Sequence, residues 1–175
     1  MIPLLTLAIL LQIRIPTPEH DPVPTGTELE LIEFVDDFLY TVRLMPSFEK
    51  RRADALANIS IILKYCDQYQ IDPLLVAVIM RFESSWKTTA VGKLGELGVM
   101  QTMPRLFKKF DLNTADGQIH AGVSHLRASL NACGGDLEQG LNYYGANRCK
   151  PILRFVRWRL GAYKRAVRKY REGGQ

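Results

Sequence analysis

The chain has 175 residues, which is the length of one domain with extensions and excludes a series of several large domains. Hydrophobic residues make up 47% of the sequence, which is enough to bury a core. The net charge of +5 is unevenly spread: residues 148–175 hold ten basic residues and one acidic residue, whereas the rest holds thirteen basic and seventeen acidic residues. A basic C-terminal segment beside an acidic body implies an anionic partner surface, and the alternative is a solvated basic helix face.

Residues 1–26 begin with an apolar run, Ile2–Leu11, which Pro3 and Thr6 interrupt. The run is shorter than a transmembrane helix requires. It resembles the apolar core of a signal peptide, although no Lys or Arg precedes it and no Ala-x-Ala site follows it. We expect export or membrane anchoring, and the alternative is a hydrophobic arm that packs on the domain or on a partner protein. Four prolines then predict an extended linker: Pro16, Pro18, Pro22 and Pro24.

Residues 27–70 are predicted to form a helical N-terminal extension. Thr27–Val42 is expected to be helical because its apolar residues share one face: Leu31, Phe34, Val35 and Phe38. Ser47–Tyr69 is predicted to be a second helix, with Ser47 as its N-cap.

Residues 71–150 form the predicted catalytic core, and they open with a strong helix signal. Asp72 suits an N-cap and Pro73 suits the first helical position. All but one of the residues in Leu74–Phe82 are apolar, as in a helix that is buried on every side. The pattern predicts a buried helix that runs to Ser85.

Glu83 lies near the end of this helix. It follows Ile79 by four residues and Met80 by three, so it shares an apolar face with them. An ionised carboxylate is costly there, and the negative end of the helix dipole adds to the cost, so we expect a raised pKa. Protonating a glycosidic oxygen requires a carboxyl that keeps its proton near neutral pH. The pattern favours a glycan-cleaving enzyme, and the alternative is a solvated Glu at a frayed helix end.

A glycine-punctuated segment follows the helix. Ser84, Ser85 and Trp86 supply hydroxyls and an indole, which give this region sugar-stacking potential. Residues 87–99 contain Gly92, Gly95 and Gly98 and are predicted to be a loop or a small hairpin. Further helices are predicted to open at Pro104 and to span Asp116–Ala132, Asp136–Tyr144 and Pro151–Tyr170, and the last forms the basic C-terminal helix of residues 151–175.

Four motifs between Asp72 and Arg148 carry a family resemblance. They are Glu83-Ser84, the run Gly95-Glu96-Leu97-Gly98-Val99-Met100-Gln101 that leads to Pro104, Gln118-Ile119-His120-Ala121-Gly122, and Tyr143-Tyr144-Gly145-Ala146-Asn147. In these motifs the chain resembles the catalytic domain of soluble lytic transglycosylases, which are relatives of goose-type lysozyme. It departs from them at Glu96, where Ala is common, and at Gly145, where Asn usually follows the Tyr.

The resemblance implies a predominantly α, lysozyme-like α+β fold, in which a helical bundle surrounds a catalytic helix and a small loop or β wall forms a substrate cleft. It implies a peptidoglycan lytic transglycosylase that cleaves the MurNAc–GlcNAc β-1,4 bond and leaves 1,6-anhydro-MurNAc ends. Its partner would be the glycan strand, and no cofactor is expected. Glu83 would be catalytic, Tyr144 would lie within hydrogen-bond reach of it, and five residues would bind substrate: Ser84, Glu96, Met100, Gln101 and Tyr144.

The count of carboxylates bears on the mechanism. A glycoside hydrolase normally needs two, and Glu96 is the nearby rival of Glu83. The resemblance implies instead that the C6 hydroxyl of N-acetylmuramic acid attacks the anomeric carbon while Glu83 acts as acid and then as base. The alternatives are a hydrolytic muramidase and a non-catalytic glycan-binding or virion structural module. Nucleic acid is a less favoured partner, because Trp158 and Tyr163 are expected to pack within their helix.

The cysteines give information about the cellular compartment of the protein. Cys133 and Cys149 could close a disulfide over the Tyr motif if the protein is exported, which would leave Cys66 free and buried. Cysteine spacing and the scattered histidines match no zinc pattern, so no metal is predicted. We expect a protein exported to the periplasm or cell envelope, or carried in a phage virion.

Overall fold

The computed structural model describes residues 28–40 and 48–173. These residues form seven α-helices and no β-strand, so the expectation of a predominantly α fold is confirmed. The apolar N-terminal run, the Pro-rich linker and the Ser47 cap lie outside the described residues. The helices are α1 (Glu28–Tyr40), α2 (Phe48–Ala57), α3 (Ile59–Tyr69), α4 (Pro73–Ser84), α5 (Ala115–Ala132), α6 (Leu137–Ala146) and α7 (Arg154–Tyr170).

Helix α4 lies at the centre of the core. Its first eight residues, 73–80, are all buried, and it packs against α1, α3 and α7. Asp72 is its N-cap, as predicted, and accepts a hydrogen bond of 2.9 Å from the Leu74 N–H. Because the helix is enclosed along most of its length, only its C-terminal end can reach a surface cleft.

Helix α7 lies antiparallel to α4. Arg171, just beyond the end of α7, binds the Asp72 carboxylate at the start of α4 through two hydrogen bonds of 2.7 Å. Tyr163 also donates to Asp72, and Arg171 donates to Glu30 of α1 over 2.9 Å. These contacts fix the position of α7 along α4, and therefore the position of every side chain that α7 presents to the end of α4.

The segment between α4 and α5 forms a small wall beside α4. The segment is a loop, as the glycines indicate, and it contains two isolated antiparallel bridges, Val91–Leu97 and Leu97–Thr102. Gln118 of α5 holds this wall: its side-chain oxygen accepts the Val99 N–H over 3.1 Å, and its nitrogen donates to the Thr88 carbonyl over 2.9 Å. The wall therefore takes its position from buried hydrogen bonds to α5.

Two predicted helices are wrong in part. Ser47–Tyr69 was expected to be one helix, but Asn58 separates α2 from α3, and its N–H closes a tight turn to the Ala55 carbonyl over 3.2 Å. The helix expected at Pro104 is absent from the described residues. The chain makes separate turns there, such as the one closed by the hydrogen bond of 3.2 Å from the Phe107 N–H to the Pro104 carbonyl. These turns do not continue into a helix.

Helix α7 begins at Arg154, three residues later than Pro151, where we expected it. Buried Asn142 explains the delay. Its side-chain oxygen accepts the Leu153 N–H over 2.9 Å, and its nitrogen donates to the Pro151 carbonyl over 3.1 Å. These bonds hold residues 151–153 in a non-helical conformation.

Cys133 and Cys149 form a disulfide that joins the end of α5 to the segment after α6, and Cys66 is free and buried, as the sequence suggested. In the part of the chain that the structure describes, no helix combines the length and the apolarity needed to cross a membrane.

Candidate active site

Two cavities of about 680 and 890 Å³ meet at the C-terminal end of α4. Glu83 and Gln101 line both cavities, so together the cavities form one cleft that passes over Glu83. Helix α2 supplies Lys50, Arg51 and Asp54 to the first cavity, whereas α6 and α7 supply Tyr144, Phe155 and Arg159 to the second. Helices on both sides of α4 in the sequence therefore contribute to the cleft.

Glu83 is largely withdrawn from water, with 17% of its side-chain surface exposed. Burial raises the pKa of this carboxyl because a low-dielectric environment disfavours its charged form. The Arg159 charge and hydrogen bond lower the pKa, the Glu96 charge raises it, and burial prevails. The raised pKa that the sequence predicted is therefore found, with burial as its main cause.

Arg159 is the site residue that sequence reasoning missed. Its Nη2 lies 2.7 Å from Oε1 of Glu83. The guanidinium lies over the Phe155 ring, 4.8 Å from its centroid, where a cation and an aromatic face attract each other. A signal was present in the sequence: Arg159 follows Val156 by three residues and precedes Ala162 by three, so it is a charge on the buried face of an amphipathic helix.

Gly145 gives the Phe155 ring its space. A Cβ added at Gly145 would lie 2.6 Å from Cζ of Phe155, closer than side chains normally approach. The family motif usually has Asn at this position. In this chain the ring that lies beneath the Arg159 guanidinium fills the corresponding space, so the departure at Gly145 has a local structural reason.

Tyr144 differs from its expected role. Its hydroxyl donates to the Met100 carbonyl over 2.8 Å, so its single proton does not go to Glu83. Burial raises the pKa of the Tyr144 hydroxyl, and the nearby Glu83 charge raises it further. Tyr144 therefore lies in the electrostatic environment of Glu83, but it anchors the loop wall and does not orient the carboxyl as a donor.

The other motif residues either line the cleft or support the loop wall. Ser84 lines the cleft and donates to the Val99 carbonyl over 3.0 Å, which joins α4 to the loop wall. Glu96 lines the second cavity and accepts the Leu94 N–H over 3.0 Å. Gln101 lines both cavities and donates to the Gly98 carbonyl over 2.9 Å. Met100 is fully buried, so its side chain supports the wall from beneath and is not exposed to a ligand.

Trp86 was expected to offer a stacking surface for sugar, and this expectation is wrong. Its side chain is fully buried in the core, so its ring has no face in the cleft. The aromatic side chains that do line the cleft are Phe82, Phe107, Tyr143, Tyr144 and Phe155. Tertiary packing decides which aromatic rings stay exposed, and the sequence did not show it.

Among the described carboxylates of the cleft, Glu83 is the one whose environment raises its pKa. Asp54 also lines the cleft, but it forms an ion pair with Lys50 at 2.9 Å, and Glu96 is hydrogen-bonded within its own loop. Among the described residues no group of three His, Cys, Asp or Glu side chains could hold a metal ion. The arrangement can deliver a proton from Glu83 to a ligand in the cleft and take one back.

Comparison with known proteins identifies the family of the chain. A transglycosylase of Enterobacteria phage PRD1 is 33% identical over 81 residues, which are 45% of this chain and 31% of that protein, so the match spans about a third of the relative's length. The model of the Transglycosylase SLT domain matches residues 60–149, just over half of the chain, and includes Glu83 and Tyr144. The chain therefore belongs to the transglycosylase SLT domain family.

Proposed function

We propose that this protein is a lytic transglycosylase that cleaves the MurNAc–GlcNAc β-1,4 bond of peptidoglycan. One observation carries the proposal: Glu83, a largely buried carboxyl with a raised pKa, lies where the two halves of an open cleft meet. A polymer laid along the cleft would pass over this carboxyl. Family membership and the phage relative's name, transglycosylase, support the same chemistry.

The proposed reaction needs no second carboxylate. Glu83 gives its proton to the glycosidic oxygen, and the bond from that oxygen to the anomeric carbon breaks. The C6 hydroxyl oxygen of the same MurNAc ring bonds to the anomeric carbon, and its proton passes to Glu83. The acid is restored, and the product ends in a 1,6-anhydro ring. The attacking hydroxyl is tethered to the reacting ring, which gives it a large effective concentration over water.

The substrate-binding roles remain part of the proposal. Ser84, Glu96, Gln101 and Tyr144 line the cleft and would contact or frame the glycan, whereas Met100 would act through the wall that it supports. The cleft also carries six basic residues against three acidic ones, which suits a polymer whose peptide stems bear carboxylates. The basic residues are Lys50, Arg51, Lys87, Lys93, Arg105 and Arg159.

We propose that residues 71–150 are the catalytic core and that 27–70 and 151–175 are extensions that complete its cleft, with 1–26 preceding them. Residues of α2 and α7 line the cleft although both helices lie outside the matched residues 60–149. We further propose export to the cell envelope or carriage in a virion, which the Cys133–Cys149 disulfide supports because such bonds persist outside reducing compartments.

The exposed face of α7 supports a second contact, with the anionic cell wall itself. Basic residues and one tryptophan recur along this face at helical spacing, and all are exposed: Arg154, Arg157, Trp158, Lys164, Arg165 and Arg168. The expectation that Trp158 packs within its helix is therefore wrong, since 54% of its surface is exposed. We call this set the basic face. It would hold the enzyme on the carboxylate-rich polymer that it cuts.

A hydrolytic muramidase is the second candidate. Glu96 favours it, because this carboxylate lines the same cavity as Glu83 and its charge raises the Glu83 pKa. A non-catalytic glycan-binding module is less well supported, since the acid and its environment are both present.

Digestion of purified peptidoglycan by wild type and by Glu83→Gln tests the function. Gln keeps the volume and the Arg159 contact but has no proton to give, so turnover should fall by several orders of magnitude while the fold is kept. Glu172→Gln, an exposed acid beyond α7, is the matched control and should leave turnover unchanged. If Glu83→Gln keeps more than about a tenth of wild-type turnover, Glu83 is not the general acid.

A further inference from the structure

The shortest contact between Arg159 and Glu83 reaches one oxygen of the carboxylate. Nη2 of Arg159 lies 2.7 Å from Oε1 of Glu83, and no hydrogen bond from another described residue reaches Oε2. The two oxygens therefore differ: one faces a permanent cation, and the other is left for a second partner. A proton on the carboxyl is repelled from the oxygen next to the guanidinium and favoured on the other.

The guanidinium is held in place independently of Glu83. The side chain of Arg159 is 11% exposed, and its lower face lies against the Phe155 ring at 4.8 Å. Helix α7, which carries both residues, is fixed to α4 by the Arg171–Asp72 pair. A buried cation fixed on a rigid helix orients its partner more closely than an exposed one.

We propose that Arg159 is a positioning residue of the transglycosylase reaction: it anchors Oε1 of Glu83, so that Oε2 is the atom that exchanges a proton with the glycan. This inference rests on the proposed function and adds a residue from outside the matched family segment. It also explains how a single carboxyl serves in both steps. Arg159 stabilises the carboxylate that forms after the first proton transfer, and it opposes the burial that would otherwise hold the acid protonated.

Other groups face Glu83 and must be considered in any pH experiment. Glu96 approaches from the loop wall, Tyr144 from α6, and Arg51 and His125 line the cleft from α2 and α5. Arg159 is the cation whose hydrogen bond reaches the Glu83 carboxylate in the described structure. Its removal should therefore change Glu83 titration more than removal of a cation elsewhere.

Three variants test the proposal: Arg159→Met, which removes the charge at similar length; Arg159→Lys, which keeps it; and Arg148→Met, an exposed arginine outside the cleft, as the control. The first measurement is the carboxyl ¹³C titration of Glu83 in the free protein, with the signal assigned by its loss in Glu83→Gln. Because the Arg159 charge lowers the Glu83 pKa, Arg159→Met should move the midpoint to higher pH. Arg159→Lys should restore most of the wild-type value, and Arg148→Met should leave it unchanged.

The second measurement is the pH dependence of cleavage on soluble glycan fragments. Activity is lost as pH rises through the pKa of the general acid, so in Arg159→Met the alkaline limb should move upward. Loss of orientation should lower kcat roughly tenfold or more with little change in KM, and Arg159→Lys should lie between wild type and Arg159→Met.

Failures of the two proposals can be told apart. If wild type cleaves peptidoglycan but Arg159→Met moves neither the midpoint nor kcat, the positioning role is wrong and the function stands. If wild type cleaves nothing, the function is wrong, and the titration still tests the pairing. If Arg159→Met does not fold, Arg159→Lys decides. A wild-type kcat and an unchanged alkaline limb of the pH profile in Arg159→Lys would overturn the role of the guanidinium geometry. A reduced kcat in a folded Arg159→Lys protein would support it.

Discussion

Arg171 binds Asp72 through both terminal nitrogens, each 2.7 Å from a different carboxylate oxygen. Asp72 caps the start of α4 and has 3% of its side chain exposed, and the Arg171 side chain has 12% exposed. The pair therefore joins the end of α7 to the start of α4. It sets the register in which Arg159 meets Glu83 at the other end.

Removal of Arg171 should destabilise the protein strongly. Arg171→Met would leave the buried Asp72 carboxylate without its cation, with Tyr163 and the Leu74 N–H as its remaining donors. Removal of one member of a buried ion pair typically costs about 3–5 kcal/mol. Arg168→Met on the exposed side of the same helix is the matched control, and it should change the free energy of unfolding by about 0.5 kcal/mol or less. Urea unfolding followed by circular dichroism measures both. Similar losses in the two variants would show that the pair does not hold the helix.

Gly145 should matter for activity more than for stability. In Gly145→Ala the new Cβ would meet Cζ of Phe155 at 2.6 Å and push the ring that lies beneath Arg159. The helical gain of Ala over Gly, up to about 1 kcal/mol, should offset this strain and leave unfolding nearly unchanged. We expect kcat to fall roughly tenfold, since small displacements of positioning groups are costly.

Gly161→Ala on α7 is the control for this change, because its nearest contact, to the Arg165 side chain, is an ordinary 3.4 Å. It should keep full activity. Wild-type kcat in Gly145→Ala would show that Phe155 adapts without disturbing the site.

Features that depend on interactions between residues close in sequence could be predicted, whereas features that depend on tertiary contacts could not. Asp72, Pro73 and the apolar run of α4 act on their immediate neighbours, so the helix, its cap and the partial burial of Glu83 could be derived from sequence. The resemblance supplied the family, and the family comparison confirms it.

Arg159 could not be recognised in the same way. It lies among nine other basic residues of the C-terminal segment, most of which are solvated, and its significance depends on α7 folding back on α4 across more than seventy residues of chain. The proton of Tyr144 likewise goes to a backbone carbonyl, Met100, that becomes a neighbour only in the folded protein. Burial of Trp86 is a similar tertiary effect.

Glu96 should tune the acid without replacing it. Its negative charge raises the Glu83 pKa, so Glu96→Gln should lower that pKa. A general acid with a lower pKa loses its proton at lower pH, and the alkaline limb of kcat/KM should therefore move down while activity on the acidic side is kept.

The pH profile of Glu96→Gln on soluble glycan fragments measures this shift. A loss as severe as that of Glu83→Gln, together with reducing-sugar products, would instead support a two-carboxylate hydrolase.

The basic face of α7 should govern retention on the wall. Arg157→Glu with Arg168→Glu reverses two of its charges, and it should weaken co-sedimentation with insoluble peptidoglycan roughly tenfold at low salt, an effect that added salt should remove. Lys108→Glu with Lys109→Glu makes the same change in net charge at two exposed lysines outside α7. Equal weakening by both pairs would show a response to net charge alone and no contact through the basic face.

The origin of the oxygen at the cleaved end is the most direct test of the proposal that Glu83 works without a second catalytic carboxylate. Wild-type enzyme digests purified peptidoglycan in water enriched in heavy oxygen, and mass spectrometry identifies the muropeptides. Internal attack by the C6 hydroxyl predicts 1,6-anhydro ends that are lighter by one water and carry no label. Reducing ends that carry the heavy oxygen would show that water is the nucleophile and would contradict the proposed mechanism.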